Sequence, residues 1–227
     1  MLAYKWDPHV HTSEVSPCGR LSGRRLVDLY RAAGYAGLVV TDHYTPDNPA
    51  LTGRENRVAR FLAGYRQAKE RGRAIGLTVL LGMELRFAGE GNDYLVYGVD
   101  EDFLLAYPDL CQLGLPRFHA LAVARGLLVY QAHPFRTGCT PGDPRYLDGV
   151  EIMNGNPRHE SRNELAAEFA DAHGLRMLSG SDCHQEEDVG RGGFTVREKI
   201  VDMADLVRVL RAGGPQSLLG PPRAAGG

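Results

Sequence analysis

Side chains that bind metals recur along this chain in short clusters. Asp7-Pro-His9-Val-His11 carries an HxH pair, and Thr41-Asp-His43 adds a third histidine. Gly82-Met-Glu84 supplies a carboxylate, Gln131-Ala-His133 a further imidazole, and Gly180-Ser-Asp182-Cys-His184 an acid and an imidazole two residues apart. Imidazole nitrogens with carboxylate oxygens form a borderline-to-hard ligand set that suits Zn²⁺, Mn²⁺ or Fe²⁺. His9, His11, His43, Glu84, His133, Asp182 and His184 are seven candidate ligands, more than one tetrahedral ion takes. The excess predicts two or three divalent ions, with Glu84 as a bridging carboxylate. Each motif alone has an ordinary explanation. An HxH pair arises by accident, Thr-Asp-His suits a helix N-cap, Glu84 suits a salt bridge and Asp182 a turn. Their joint occurrence, each directly after an apolar run, points to one polynuclear site.

Those apolar runs indicate how residues so far apart meet. Residues 36–41, 77–81, 127–131, 149–153 and 175–178 read as short strands that are apolar throughout, the pattern of a parallel sheet covered on both faces. Between them, 23–33, 54–71, 163–173 and 203–210 carry apolar side chains at helical spacing. Gly34, Gly72, Gly126 and Gly174 stand where helix C-caps are expected. Alternating strands and helices predict an α/β fold. Residues two apart on a strand share a face, so Asp7, His9 and His11 are expected side by side. In a parallel barrel the C-terminal strand ends converge on one rim, where the scattered motifs would meet.

The 227 residues fit one domain, expected over 1–218, with a disordered tail over 219–227. A net charge of -2 offers no global attraction to nucleic acid or an anionic membrane. No apolar run reaches the ~18 residues of a membrane span, and the first residues lack a secretory signal pattern. Cys18, Cys111, Cys139 and Cys183 form no CxxC pair and read as reduced thiols of a cytoplasmic protein. His119 and His173 read as structural, and His159 as exposed, opening a helix near the rim.

Taken in order, the motifs resemble the PHP family, named for DNA polymerases and histidinol phosphatases. The resemblance rests on His9-Val-His11-Thr12, Thr41-Asp-His43, Gly82-Met-Glu84, Ala132-His-Pro-Phe-Arg136, Val150-Glu-Ile-Met-Asn-Gly-Asn156, Gly180-Ser-Asp-Cys-His184 and Asp188-Val-Gly-Arg191. It implies a distorted (β/α)7 TIM-like barrel with parallel strands, a metal site at the C-terminal rim and hydrolysis of a phosphoester. Glu84 and Asp182 would be the carboxylates at the reaction centre. Three positions depart from the family pattern. Cys18 precedes Gly19 where an Asp or His ligand is usual, the stretch 93–98 lacks a histidine, and Pro8 replaces an aliphatic residue.

The expected substrate is a small-molecule phosphomonoester or phosphodiester. Arg136 and Arg191 are candidate phosphate clamps, since guanidinium matches phosphate oxygens bidentately. Asn154 is a candidate for orienting water or substrate. No GxSxG elbow, aspartyl-phosphate motif or Walker A loop offers another chemistry. An amidohydrolase-type C–N hydrolase would need a bridging lysine, and neither Lys5, Lys69 nor Lys199 closes a mid-barrel strand. A non-catalytic metal-binding module is the reading from another class. No membrane partner is expected, and without a basic face interleaved with aromatics neither is nucleic acid. The sequence leaves the oligomeric state open.

Overall fold

Along the chain, β1 (Tyr4–Val10) leads to α1 (Gly23–Ala32), β2 (Gly37–Val40) and the two-residue β3 (His43–Tyr44). There follow α2 (Arg57–Ile75), β4 (Thr78–Arg86), β5 (Asp93–Tyr97), α3 (Glu101–Ala106), α4 (Gly114–Arg125) and β6 (Leu128–Gln131). The chain continues through β7 (Gly149–Asn154), α5 (Asn163–His173), β8 (Arg176–Gly180), β9 (Gly193–Val196), α6 (Met203–Arg211) and β10 (Ser217–Leu219). The computed structural model describes residues 3–53 and 56–221. No helix among them is long and apolar enough to cross a membrane.

The strands form one sheet in the order β10-β9-β1-β2-β4-β5-β6-β7-β8, with β3 beside β4. The sheet curls until its ends meet. Past β8, the Cys183 N–H donates to the His9 carbonyl at 3.3 Å, and the His11 N–H donates to the Cys183 carbonyl at 3.0 Å. The fold is thus a mixed α/β, nearly closed barrel.

The expected run of parallel strands breaks at β5, which is antiparallel to both β4 and β6. The reason is chain length. Residues 87–92 are too few for a crossover, which takes a dozen residues or more, so the chain turns back as a hairpin. β9 is also antiparallel to β1, and β10 to β9. Leu219, the first residue of the expected tail, is the last residue of β10, and residues 222–227 lie outside the described residues.

Two apolar layers follow from the period-two alternation of the strands. Leu95 and Tyr97 of β5 and Leu128 and Tyr130 of β6 pack with Trp6 and Leu80, and α6 adds Leu206, Val209 and Leu210. Tyr94, Val96 and Val129 on the other face pack with Phe61, Phe103 and Phe118 of the helices. The barrel is therefore filled by large side chains up to the level of the rim.

Gly126 and Gly174 cap α4 and α5 in the left-handed region, at φ 68° and 62°. Gly72 does not cap its helix. It lies within α2, whose cap is Gly76, and it is needed for close approach: a β-carbon there would stand 2.5 Å from the Leu77 carbonyl oxygen. Gly64 plays the same part facing the rim. A β-carbon at Gly64 would overlap the Thr12 side chain, and one at Gly23 would lie 2.5 Å from the Gly64 carbonyl. The α1 and α2 backbones meet here without side chains between them, directly behind the residue that follows His11. Helix propensity alone favours alanine over glycine by about 1 kcal/mol. Gly64→Ala should nonetheless destabilise the protein by about 1–3 kcal/mol, read as a lower denaturation midpoint. A raised midpoint would show that Thr12 is free to move aside.

Candidate metal centre

The geometry of the rim begins with β1. Pro8 cannot donate to a strand ladder, and the register of β1 against β2 shifts between Asp7 and Val10. At this bulge the His9 N–H turns to Asp7 Oδ1 at 3.2 Å, and the Val10 N–H to Thr41 Oγ1 at 3.1 Å. Asp7 therefore stays with the backbone. It accepts from the Tyr30 hydroxyl at 2.7 Å and from the Ser181 N–H at 3.2 Å. It does not stand beside His9 and His11 in the cluster, because the bulge breaks the two-residue period.

His9 and His11 meet the other five candidates at the C-terminal ends of the strands. His9 Nε2 is 3.4 Å from both Glu84 Oε1 and Asp182 Oδ1. His11 Nε2 is 3.4 Å from Glu84 Oε2 and 3.2 Å from Asp182 Oδ1. His43 Nδ1 lies 2.8 Å from Glu84 Oε2, and His133 Nε2 3.1 Å from Glu84 Oε1. The His184 ring stacks on that of His11 at 4.4 Å. His9, His11, Glu84, His133 and Asp182 are each at most 1% exposed. His133 and Asp182 reach the centre through left-handed backbone, at φ 30° and 51°. Such conformations cost about 1–3 kcal/mol each and concentrate at functional sites.

The hydrogen bonds behind the rings determine which nitrogen carries the proton. Ser16 Oγ donates to Asp42 Oδ1 at 2.7 Å, so it accepts from His11 Nδ1 at 3.2 Å. Glu151 Oε1 accepts from His9 Nδ1 at 2.8 Å. The Asp182 carbonyl accepts from His184 Nδ1 at 2.7 Å. In the His9 and His11 rings Nε2 is left facing inward, toward Glu84 and Asp182, whereas His184 Nε2 faces Cys18. His9 Nε2, His11 Nε2, His43 Nδ1 and Glu84 Oε2 are buried and have no hydrogen-bond partner among the described residues. Buried polar atoms are rarely left so. Three overlapping sets, His11–His43–His184, His9–His11–Glu84 and His9–His133–Asp182, each bring their ligand atoms within 4.8 Å of one another. The donor chemistry, the orphaned lone pairs and the spacing all fit divalent cations.

Electrostatics follow the same arrangement. Burial would push the Glu84 carboxyl up, but His43, His9 and His133 hold it well below the usual carboxylate range. Burial likewise opposes ionisation of Asp182, and His9, His11 and His184 outweigh it. Burial together with His184 and His43 keeps His11 well below the ordinary imidazole value, hence neutral and able to ligate.

Cys18 stands at the edge of the same cluster. Its Sγ is 3.2 Å from His43 Nε2 and 3.0 Å from His184 Nε2. Burial would raise its pKa, but these two imidazoles lower it to about 6.

The substrate candidates divide. Arg136 lines a cavity of about 520 Å³ above the cluster, together with Cys18, His43, Asp182 and His184. Asn154 is buried with its polar atoms engaged: Nδ2 donates to Glu151 at 2.9 Å and to Asp182 at 3.3 Å, and Oδ1 accepts from the Asn156 N–H at 3.1 Å. Its Nδ2 thus holds Asp182. Arg191 is not among the residues lining the cavity. Its Nε donates to the Gly155 carbonyl at 2.9 Å and braces the loop after β7. His159 lines the cavity but sits in a loop, since α5 begins at Asn163.

Arg86 and Arg158 also line the cavity and are absent from the sequence reading. Arg86 pairs through two 2.8 Å bonds with Asp93, which also takes Arg136 at 3.2 Å. Arg158 is clamped to Asp188 at 2.7 and 2.6 Å. Arg86 was legible as the residue two after Glu84 on one strand, hence on the same face. Glu151 was legible as a lone carboxylate inside an apolar strand. Its Oε2 also accepts the His133 N–H at 3.1 Å. Gly180 makes room for it, since a β-carbon there would lie 2.5 Å from His9 Cβ and 2.6 Å from Glu151 Oε1.

Two outcomes are expected. Glu151→Gln should weaken metal affinity about 10–100-fold, measured by chelator competition; an unchanged affinity would deny Glu151 its orienting part. Only a thiolate alkylates readily, so in chelator-treated protein Cys18 labelling by iodoacetamide should fall to half its plateau at about pH 6. Added Zn²⁺ should block it. A midpoint near the ordinary thiol value without protection would remove Cys18 from the centre.

Comparison with known proteins agrees with the motifs. Residues 160–215 match a family model described as PHP-associated. No curated protein sequence matches the chain. Among solved structures, PsfC from Pseudomonas syringae PB-5123 aligns with TM-score 0.72 and 19% identity over 98% of this chain and 93% of its own. A two-domain protein from Bacteroides vulgatus ATCC 8482, containing a predicted PHP-like metal-dependent phosphoesterase, aligns with TM-score 0.67 and 18% identity over 97% of this chain and 65% of its own. The lesion-specific endonuclease PfuEndoQ from Pyrococcus furiosus aligns with TM-score 0.66 and 12% identity over 94% of this chain and 57% of its own. At these identities the likeness is one of fold.

Proposed function

We propose that this chain, a PHP-type barrel by its motifs, its fold and its C-terminal family match, hydrolyses a phosphoester with divalent ions held by His9, His11, His43, Glu84, His133, Asp182 and His184. One observation carries the reading. A cluster of unpartnered ligand atoms adjoins, through His43, Asp182 and His184, a cavity whose lining includes the guanidinium groups of Arg86, Arg136 and Arg158. Ligands of this kind with cations above them suit an anionic phosphoryl group better than a neutral amide.

Divalent ions held by these residues would supply Lewis acidity toward a phosphoryl group and its hydrolytic water. The protein's own residues do the rest. Glu151, Ser16 and the Asp182 carbonyl hold three imidazoles in the ligating tautomer. Asn154 holds Asp182. Arg136, kept near the centre by Asp93, offers a guanidinium to the phosphate. His159 is kept below its usual pKa by burial and by Arg136. The shift favours its neutral form at the cavity wall. Metal preference among Zn²⁺, Mn²⁺ and Fe²⁺, a count of two or three ions, a small-molecule substrate and a cytoplasmic location belong to this proposal.

The amidohydrolase alternative lacks its bridging lysine. Lys5, Lys69 and Lys199 all line a cavity at the opposite end of the barrel. A nucleic acid phosphodiester is a second substrate to test, since a lesion-specific endonuclease shares the fold.

The test pairs metal analysis by mass spectrometry with hydrolysis of a monoester, a diester and an oligonucleotide. Two or more ions per chain are expected, lost on Asp182→Ala with His184→Ala, and activity should disappear with them. Losing one charged hydrogen bond to phosphate costs about 1.5–3 kcal/mol, so Arg136→Ala should lower kcat/KM about 10–100-fold. Full metal occupancy without hydrolysis of any of the three would favour the non-catalytic module.

A further inference from the structure

The opposite end of the barrel holds a second cavity, of about 740 Å³, where β1, β2 and β4 begin and α1 and α2 end. Only three of the chain's 26 lysines and arginines are lysines, and all three, Lys5, Lys69 and Lys199, line it. Arg31 and Arg73 line it as well, and no aspartate or glutamate does. The whole chain has 28 acids against 26 bases, so an acid-free lining with five cations departs from its average surface. The side chains of Lys5, Arg31, Arg73 and Lys199 have no hydrogen-bond or ion-pair partner among the described residues. Among the described residues Lys69 Nζ is paired with Tyr65, its hydroxyl at 2.7 Å and its ring at 5.0 Å.

Helix dipoles explain part of this. Arg31 and Arg73 stand in the last turns of α1 and α2, where a cation meets the negative helix end. The lysines need another reason. Lys5 lies in β1 and Lys199 between β9 and α6. Lys69 is six residues before the end of α2, and the dipole effect falls off within the last turn.

We propose that this cavity binds a small anion bearing two or three linked phosphates. Its volume lies in the range of small-molecule sites, about 300–1,000 Å³. Lysine ammonium is a compact point charge suited to phosphate. Five cations with no acid match several negative charges on one ligand, whereas a monocarboxylate would leave most of them unneutralised. Lys5 and His11 are six residues apart on β1 and its extension, about 20 Å at strand rise. The site is therefore separate from the metal centre.

Trp6 makes the proposal testable. It is the only tryptophan in the chain, it lines this cavity, and its ring lies over Gly37. Full-length, metal-containing protein would be titrated with methylenediphosphonate, a diphosphate analogue resistant to hydrolysis, while tryptophan emission is followed. A saturable change is expected that weakens at least tenfold in Lys5→Gln with Lys199→Gln and persists in Arg136→Ala. It should also weaken as salt rises. No saturable change up to millimolar concentration would overturn the proposal. So would a change that survives the double lysine variant but is lost in Arg136→Ala, which would assign the binding to the metal centre.

Discussion

The rest of the structure depends on one constraint: imidazole lone pairs and carboxylate oxygens are buried together at one end of a closed barrel. A lone pair buried without a donor is unfavourable. Here the proton of each of three rings is drawn outward, to Glu151, Ser16 and the Asp182 carbonyl. Nε2 of His9 and of His11 is left facing only Glu84 and Asp182, and Nε2 of His184 faces Cys18. A cation is what such an arrangement accommodates, and the outward hydrogen bonds keep it accommodating by excluding the other tautomer.

The scaffold meets this constraint with local departures from regular geometry. Pro8 and the adjoining bulge redirect β1, and Asp7 satisfies the backbone donor that the bulge releases. His133 and Asp182 adopt left-handed backbone directly after β6 and β8. Asp42 receives the Thr12 N–H at 2.7 Å and the Thr12 hydroxyl at 2.6 Å, tying the segment after His11 to the segment before His43. Thr12 in turn leaves no room for a side chain at Gly64 of α2. Helix packing on the outside and ligand positions on the inside are thus one problem.

The two ends of the barrel carry opposite chemistry. The C-terminal rim gathers imidazoles and carboxylates, while the N-terminal end gathers ammonium and guanidinium groups without a single lining acid. Between them Trp6, Tyr97 and Tyr130 fill the interior. These large buried side chains keep the two charged regions apart.

The sequence by itself determined which residues bear the chemistry and that they follow apolar runs, because ligand type and strand hydrophobicity are both local properties. His9, His11, His43, Glu84, His133, Asp182 and His184 were legible in that way, as were the helices that became α1 and α5. Tertiary structure decided what local pattern cannot carry. It set β5 antiparallel, since six connecting residues allow only a hairpin. It took Asp7 out of the cluster through the bulge, turned Asn154 and Arg191 into braces, and brought Arg86 and Arg158 to the mouth. It also gathered three lysines, scattered from residue 5 to residue 199, around one cavity. Hydrogen bonds across more than a hundred residues, such as that between Glu151 and His9, exist only once the barrel has closed.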